Sequence, residues 1–255
     1  MIRKNLLLSL SILTSMLFLG HSVYAQLESI DIGLNMGQGD VEDKPGSTEW
    51  SEATCTMEAW GWDIWGDTDG FRFAYTEVSG DFEVEVHLIS FEPANEWSKA
   101  GLMARQDLEP GAVNMLATVT GGGASGSQIT WRLEKDQPTS EFFDIVPGEW
   151  FKGCWLKIAR TGNLYDGYIS KNGTKWEDML LQEVEMNDPI FAGLAVTACT
   201  AIENDPDKEP PVTAVFEQFS ITQNGEKTVF AAKPEKAVKP EGSLSATWGN
   251  IKSGF

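Results

Sequence analysis

Apolar and polar residues alternate along the middle of the chain, the pattern typical of half-buried β-strands. Segment 82–88 shows it most clearly, with Phe82, Val84, Val86 and Leu88 on one face. Further short strands are predicted over 71–75, 99–105, 114–120, 127–133, 191–200 and 212–222 and within 155–176. No stretch has the period of an amphipathic helix. The pattern predicts an all-β fold, a jelly-roll sandwich of two antiparallel sheets.

Tight turns separate the strands of segment 155–176. One turn is predicted at Thr161-Gly162-Asn163 and another at Lys171-Asn172-Gly173. Asn and Gly tolerate positive φ, which the tight turns of β-hairpins require. The segment is therefore expected to form a strand, a turn, a second strand and another turn.

The N-terminus predicts export from the cytoplasm. Arg3 and Lys4 precede an apolar run over 6–19, and small residues end at Ala25. This is the layout of a secretory signal peptide over 1–25, and the run is short for a membrane span of about 20 residues. We expect a secreted protein, extracellular or periplasmic, with no membrane insertion after cleavage. An uncleaved anchor helix is the alternative.

Composition divides the rest of the chain into four parts. A polar, Gly-rich lead-in over 26–47 precedes the predicted sandwich domain, 48–225. A Pro- and Lys-rich linker over 226–243 follows, and a terminal segment over 244–255 carries Trp248 and Phe255. Because an aromatic segment on a linker suits docking, 244–255 is a candidate site for a protein partner. A frayed tail is the alternative.

The chain is strongly acidic, with 19 Lys and Arg residues against 38 Asp and Glu residues and a net charge of −19. Loss of the signal peptide removes two basic residues and no acid, which leaves 17 against 38, or −21. Such a field repels nucleic acid and anionic membranes. It favours neutral ligands or divalent cations, although an acidic surface is also ordinary for a secreted protein.

Cysteine and histidine are scarce. Cys55, Cys154 and Cys199 permit one disulfide and leave one thiol, and the sequence does not choose among the three pairings. His87 is the one histidine after the signal peptide. A zinc site built on Cys and His, and a Ser-His-Asp triad, are therefore not expected.

Several segments together resemble one family. Asp63 to Phe73, Ser79 to Phe82, Trp97 to Arg105, Trp155 to Trp176, Gly193 to Thr197 and Ala214 to Phe219 are similar to secreted bacterial modules of the concanavalin A-like lectin/glucanase superfamily. Those modules are related to the C-terminal domain of β-xylosidases and to "regulation of enolase" proteins. The resemblance implies a jelly roll with one concave face. It implies little about activity, since the fold hosts lectins, accessory modules and enzymes.

Aromatic residues favour a binding function. The chain has ten Trp residues, and indole rings stack on sugar rings while polar side chains bind the hydroxyls. Trp65, Trp155 and Trp176 are assigned to packing, because they lie in the segments that define the fold. The candidate ligand-binding residues are Trp97, Arg105, Gln128, Trp131 and Arg132. Arg105 ends an apolar strand, so it is either a structural ion pair or a ligand anchor.

A metal site is a further hypothesis. Asp63, Asp67 and Asp69 lie in one loop, and Ca²⁺ takes six to eight oxygen ligands. Their spacing is not that of an EF-hand, and Asp side chains also cap turns.

The sequence therefore predicts a non-catalytic secreted module that binds carbohydrate or a cell-surface glycan on the concave face. A structural component of an extracellular assembly, acting through 244–255, is the alternative. A glycoside hydrolase that uses Glu83 and Glu85 ranks third, because alternating Glu residues are ordinary on the solvent face of a strand.

Overall fold

The computed structural model describes residues 26–33, 45–122, 126–143, 150, 153–199 and 211–232. Across these residues the chain forms β-strands and turns, and no helix there is long and apolar enough to cross a membrane. The strands are β1 (Glu28–Ile32), β2 (Ser47–Ser51), β3 (Thr54–Ala59), β4 (Asp63–Trp65), β5 (Thr68–Val78), β6 (Phe82–Glu92), β7 (Lys99–Arg105), β8 (Asn114–Thr120), β9 (Ser127–Arg132), β10 (Ser140–Phe143), β11 (Cys154–Thr161), β12 (Leu164–Ser170), β13 (Trp176–Glu183), β14 (Ile190–Thr197), β15 (Val212–Gln223) and β16 (Glu226–Val229).

The strands form two antiparallel sheets, as the alternation predicts. Sheet I has the order β1-β5-β14-β7-β8-β9-β10, and β4 pairs with β5 off this path. Sheet II has the order β13-β12-β11-β6-β15-β3-β2, and β16 pairs with β15. Neighbours along a sheet are often distant in sequence, such as β5 with β14 and β6 with β15. Such crossovers between two sheets are what a jelly-roll sandwich requires.

The main core lies between the sheets. Val84, Val86 and Leu88 of β6 point into it from sheet II, and Leu102 and Ala117 point into it from sheet I. The residues between them on the same strands point away, because successive side chains of a strand alternate between its faces.

Sheet I is also buried on its outer face, the face away from the main core. β7 and β8 have no exposed residue on either side. A second apolar cluster explains this: Ile64 of β4 packs there against Phe71, Phe73, Met103 and Leu116. β4 therefore folds over the outer face and covers part of it.

The sheets extend beyond the sandwich boundaries predicted at 48 and 225. β1 lies in the predicted lead-in and pairs with β5, and Leu27 and Ile32 are buried. β16 lies in the predicted linker, and Phe230 after it packs against Phe219. The linker from 233 onward, the terminal segment 244–255 and the signal peptide lie outside the described residues.

All three cysteines are free and buried. Cys55 of β3 and Cys154 of β11 lie three strands apart in sheet II. Across the sheet, Cys55 is opposite Phe216, Phe216 is opposite Leu88, and Leu88 is opposite Cys154. Three strand spacings are about 14 Å, and a disulfide needs Cα atoms within about 7 Å. Cys199 follows β14 of the other sheet. None of the three predicted pairings is formed in this structure.

Candidate outer-face site

The outer face of sheet I carries most of the buried polar side chains. Alternation places Lys99 and Arg105 of β7 on this face, with Gln128, Thr130 and Arg132 of β9. All five are at most 2% exposed. Since burial of polar groups is costly unless they find partners, the partner of each group shows what it does there.

Beside Asp69, the buried donors of Arg132 all have hydrogen-bond partners within the chain. Arg132 donates two hydrogen bonds to the Asp69 carboxylate, at 2.9 and 2.6 Å. It also donates to the carbonyl oxygens of Ala112, Gln137 and Gly66. The guanidinium of Arg132 therefore ties three loops to β5 and has no donor directed at a ligand.

Arg105 belongs to the same network. Its Nη1 lies 3.6 Å from Asp69 Oδ2, and its guanidinium carbon lies 5.0 Å from the centre of the Phe71 ring. Nε and Nη2 donate to the carbonyl oxygens of Asp107 and Glu109. Burial lowers the pKa of Arg105 to about 10, and Asp69 opposes that effect, so the side chain stays charged at neutral pH. Of the two roles predicted for Arg105, the geometry supports the structural ion pair.

Lys99 forms a second charged centre. Its Nζ donates to Asp63 Oδ1 at 2.6 Å and to the Trp97 carbonyl at 3.2 Å, and it lies 3.6 Å from Cys199 Sγ. These three contacts use the three donors of an ammonium group. Burial lowers the pKa of Lys99, but the combined effect of Cys199 and Asp63 is larger and opposite, so the pKa is raised overall. Burial also raises the pKa of the Cys199 thiol. Because that thiol is neutral, we attribute the raised pKa of Lys99 to the Asp63 carboxylate.

Three oxygen-bearing groups beside this centre have no such partners. Gln128 Oε1 and Thr130 Oγ1 are buried and make no hydrogen bond. Glu141 lies opposite Thr130 in the β9–β10 register and is half-buried. Among the described residues, no hydrogen bond or ion pair involves the Glu141 carboxylate. We call Gln128, Thr130 and Glu141 the acceptor cluster.

The environment of Glu141 connects the acceptor cluster to Lys99. Desolvation raises the pKa of Glu141, Lys99 lowers it and Asp63 raises it. Both neighbours are thus within electrostatic range of the carboxylate, although Lys99 is held by Asp63. The residues needed for this arrangement come from β4, β7, β9 and β10.

The candidate ligand residues do not form one group. Gln128 and Arg132 share the outer face, whereas Trp131 between them packs against the main core. Trp131 is therefore separated from them by the sheet itself. Trp97 is 45% exposed, and its backbone carbonyl accepts a hydrogen bond from Lys99.

The carboxylates considered for Ca²⁺ differ in their partners and exposure. Asp63 is paired with Lys99 and Asp69 with Arg132, while Asp67 is exposed. In the part of the chain that the structure describes, no group of three or more His, Cys, Asp or Glu could hold a metal ion. The Ca²⁺ site stays a prediction that this geometry does not favour.

Three residues of the arrangement were missing from the sequence-based candidates: Lys99, Thr130 and Glu141. Thr130 had a usable signal, because it alternates with Gln128 and Arg132 on one strand. Lys99 and Glu141 had none, since their importance depends on Asp63 and Thr130, which are their neighbours in the fold and not in the sequence.

The outer face of sheet II carries polar side chains that pair with one another. His87 stacks on Trp155 with ring centres 4.6 Å apart, and its Nδ1 lies 2.8 Å from Glu217 Oε1. Glu83 lies 3.5 Å from Lys157, and Glu85 lies 3.9 Å from Lys227. The two Glu residues considered for hydrolysis thus each have a cationic partner.

Comparisons with known proteins support the fold. No protein-family model and no curated protein matches this chain, so the predicted membership of the β-xylosidase-related modules stays a prediction. A functionally unknown protein from Saccharomyces cerevisiae is similar over 72% of this chain and 96% of its own, with 19% identity and a TM-score of 0.56. At this identity the similarity shows the fold alone.

Two further solved structures are more distant. The carbohydrate-binding module CBM66 from Bacillus subtilis matches 70% of this chain and 95% of its own, at 17% identity and a TM-score of 0.45. A GH43 protein, BlXynB, from Bacillus licheniformis matches 64% of this chain and 32% of its own, at 12% identity and a TM-score of 0.46.

Proposed function

We propose that this protein binds carbohydrate without cleaving it, and that the acceptor cluster is the site. The observation that carries the proposal is the set of three oxygen-bearing groups on one face that lack partners among the described residues: Gln128 Oε1, Thr130 Oγ1 and the Glu141 carboxylate. A buried polar group without a partner costs about 1–3 kcal/mol. A ligand that donates hydrogen bonds to these oxygens recovers that cost, and sugar hydroxyls are such donors.

The surroundings favour a sugar over an anion. Lys99 has no donor left for a ligand phosphate or carboxylate, because Asp63, Trp97 and Cys199 occupy all three. The net charge of −19 also opposes anionic ligands. The exposed indole of Trp97 offers an apolar face of the kind that stacks on sugar rings.

The pairing of carboxylates among the described residues of the site favours binding over hydrolysis. Glycosidases of the common type need two carboxyl groups on either side of the scissile bond, about 5–5.5 Å apart in retaining enzymes. In this site, Asp63 is paired with Lys99 at 2.6 Å, which leaves Glu141 without a free partner carboxylate among the described residues of the cluster.

A glycan-array screen with three proteins tests this function. The wild type is compared with Thr130→Val, which removes the hydroxyl without changing the shape, and with the matched control Thr213→Val on sheet II. We expect a sugar class that binds the wild type and Thr213→Val and binds Thr130→Val about tenfold more weakly. Folded wild type that binds no glycan, or Thr130→Val that binds as well as the wild type, would contradict the proposal.

A further inference from the structure

The acceptor cluster contains a negative charge that the described part of the chain does not neutralise. Glu141 and Thr130 are cross-strand neighbours, with Cα atoms about 5 Å apart. Lys99 is held by Asp63, and Lys135 pairs with Asp107 in an exposed ion pair. A ligand that carries only hydroxyl groups would cover Glu141 and leave its charge uncompensated, which is unfavourable.

A primary ammonium group complements this cluster in both charge and donor number. It carries three N–H donors, and the cluster offers three acceptor groups without partners among the described residues: Gln128 Oε1, Thr130 Oγ1 and the Glu141 carboxylate. Gln128 and Thr130 lie two residues apart on one face of β9, about 7 Å along the strand, so their side chains can converge on one small group.

Resting on the proposed function, we propose that the acceptor cluster binds the ammonium group of an unacetylated amino sugar. An N-acetyl group in its place removes the charge and adds a carbonyl acceptor that Glu141 and Gln128 Oε1 cannot pair with. A uronic acid brings a second carboxylate, which Glu141 repels. Glu141 is thus the residue that selects among sugars, and Gln128 and Thr130 contribute hydrogen bonds.

Calorimetric titration with short sugars of equal length tests the selection. The probes are a β-1,4-linked glucosamine trimer, its fully N-acetylated form and the corresponding glucose trimer, in a buffer of physiological ionic strength. We expect the glucosamine trimer to bind at least tenfold more tightly than the other two. Equal binding of the three, or no binding of any of them, would overturn the amine assignment, whereas carbohydrate binding itself is overturned by a blank glycan array.

Two variants that each remove one negative charge distinguish a local effect of Glu141 from the effect of the protein's overall negative charge. Glu141→Gln and Glu134→Gln each remove one negative charge, and Glu134 is exposed after β9. We expect Glu141→Gln to lose the preference for the amine and Glu134→Gln to keep it. Equal weakening in both variants would overturn the proposal. Glu141→Asp keeps the charge on a shorter side chain, and we expect it to retain the preference at lower affinity.

Discussion

At the scale of single residues, the outer face of sheet I contains buried groups of two kinds. Arg132, Arg105 and Lys99 are surrounded by acceptors from the chain itself, whereas Gln128 and Thr130 are equally buried and have unused oxygens. Groups of the first kind hold loops to the sheet. Groups of the second kind gain from a ligand, and the proposed site is where two of them lie on the same face as the Glu141 carboxylate.

Arg132 supplies the first prediction. Arg132→Met removes both hydrogen bonds to Asp69 and leaves that carboxylate buried, with Arg105 at 3.6 Å. Breaking a buried ion pair on one side costs about 3–5 kcal/mol, which we expect as the loss in unfolding free energy by urea denaturation. Lys135→Met, which breaks an exposed pair with Asp107, should change it by less than about 1 kcal/mol. Similar losses in the two variants would contradict this assignment.

Glu141 supplies a pH-dependent prediction. Desolvation raises its pKa in the folded protein, an effect that Asp63 strengthens and Lys99 opposes. A carboxyl group with a raised folded pKa stabilises the fold below its unfolded pKa, about 4.3, and that contribution is lost as pH rises through the folded value. We therefore expect Glu141→Gln to raise the urea midpoint at neutral pH and to lose that advantage in acid.

The readout for Glu141 is the difference between the urea midpoints of Glu141→Gln and the wild type, measured from acid to neutral pH. Glu134→Gln, which removes the same charge from an exposed side chain, is measured alongside as the control. If Glu141→Gln lowers the neutral midpoint, then the carboxylate has a stabilising partner, and the acceptor cluster is not free as described.

At the scale of elements, the hairpin β11–β12 and the turn before β13 follow from the sequence. Gly162 and Gly173 have φ values of +60° and +70°, as the Gly and Asn residues of these turns predict. The second turn is further held by Asn172 Oδ1, which accepts from the backbone N–H groups of Thr174 and Lys175. The sequence of the two turns does not show which side chains surround them, and the surroundings of the two turns differ.

The two glycines therefore give a matched pair of substitutions. An added Cβ at Gly162 has nothing within 4 Å, whereas one at Gly173 would lie 2.9 Å from the Trp155 ring. Gly162→Ala should cost about 1–2 kcal/mol for the left-handed backbone alone. Gly173→Ala should cost about 1–3 kcal/mol more, because the indole must move. Urea denaturation measures both, and equal costs would mean that Trp155 does not pack on this turn.

Strands with clear alternation could be predicted closely. The predicted segments 99–105 and 114–120 coincide with β7 and β8. β4 and β10 were not predicted, because three or four residues are too few to show a period, and each is placed by pairing with a longer strand. The site depends on these two short strands, since β4 supplies Asp63 and β10 supplies Glu141. Alternation alone could have separated Trp131 from Gln128, but it could not bring Glu141 to Thr130.

At the scale of the whole molecule, the sandwich is built without a covalent cross-link between its described strands. Cys55 and Cys154 face the main core from sheet II, and Cys199 lies under Trp97 on the outer face of sheet I. Burial raises the pKa of Cys55 and of Cys154 to about 12, so both thiols are protonated at neutral pH. The separation of Cys55 from Cys154 by three strands explains why these two form no disulfide with each other.

Thiol titration tests this account of the cysteines. With a colorimetric thiol reagent, we expect no reaction in the native protein and three reactive thiols after unfolding without reductant. A reducing agent should leave the melting temperature unchanged. One reactive thiol after unfolding would show that two of the cysteines form a disulfide, which would contradict this account.

The central claim is that sugar binds at the acceptor cluster of sheet I. The most direct measurement is hydrogen–deuterium exchange of the backbone amides with and without the sugar class found by array. We predict slower exchange with sugar in β9 and β10, the strands that carry Gln128, Thr130 and Glu141, and no change in β11 to β13 of sheet II. Protection confined to sheet II, or no protection in either sheet, would contradict the claim.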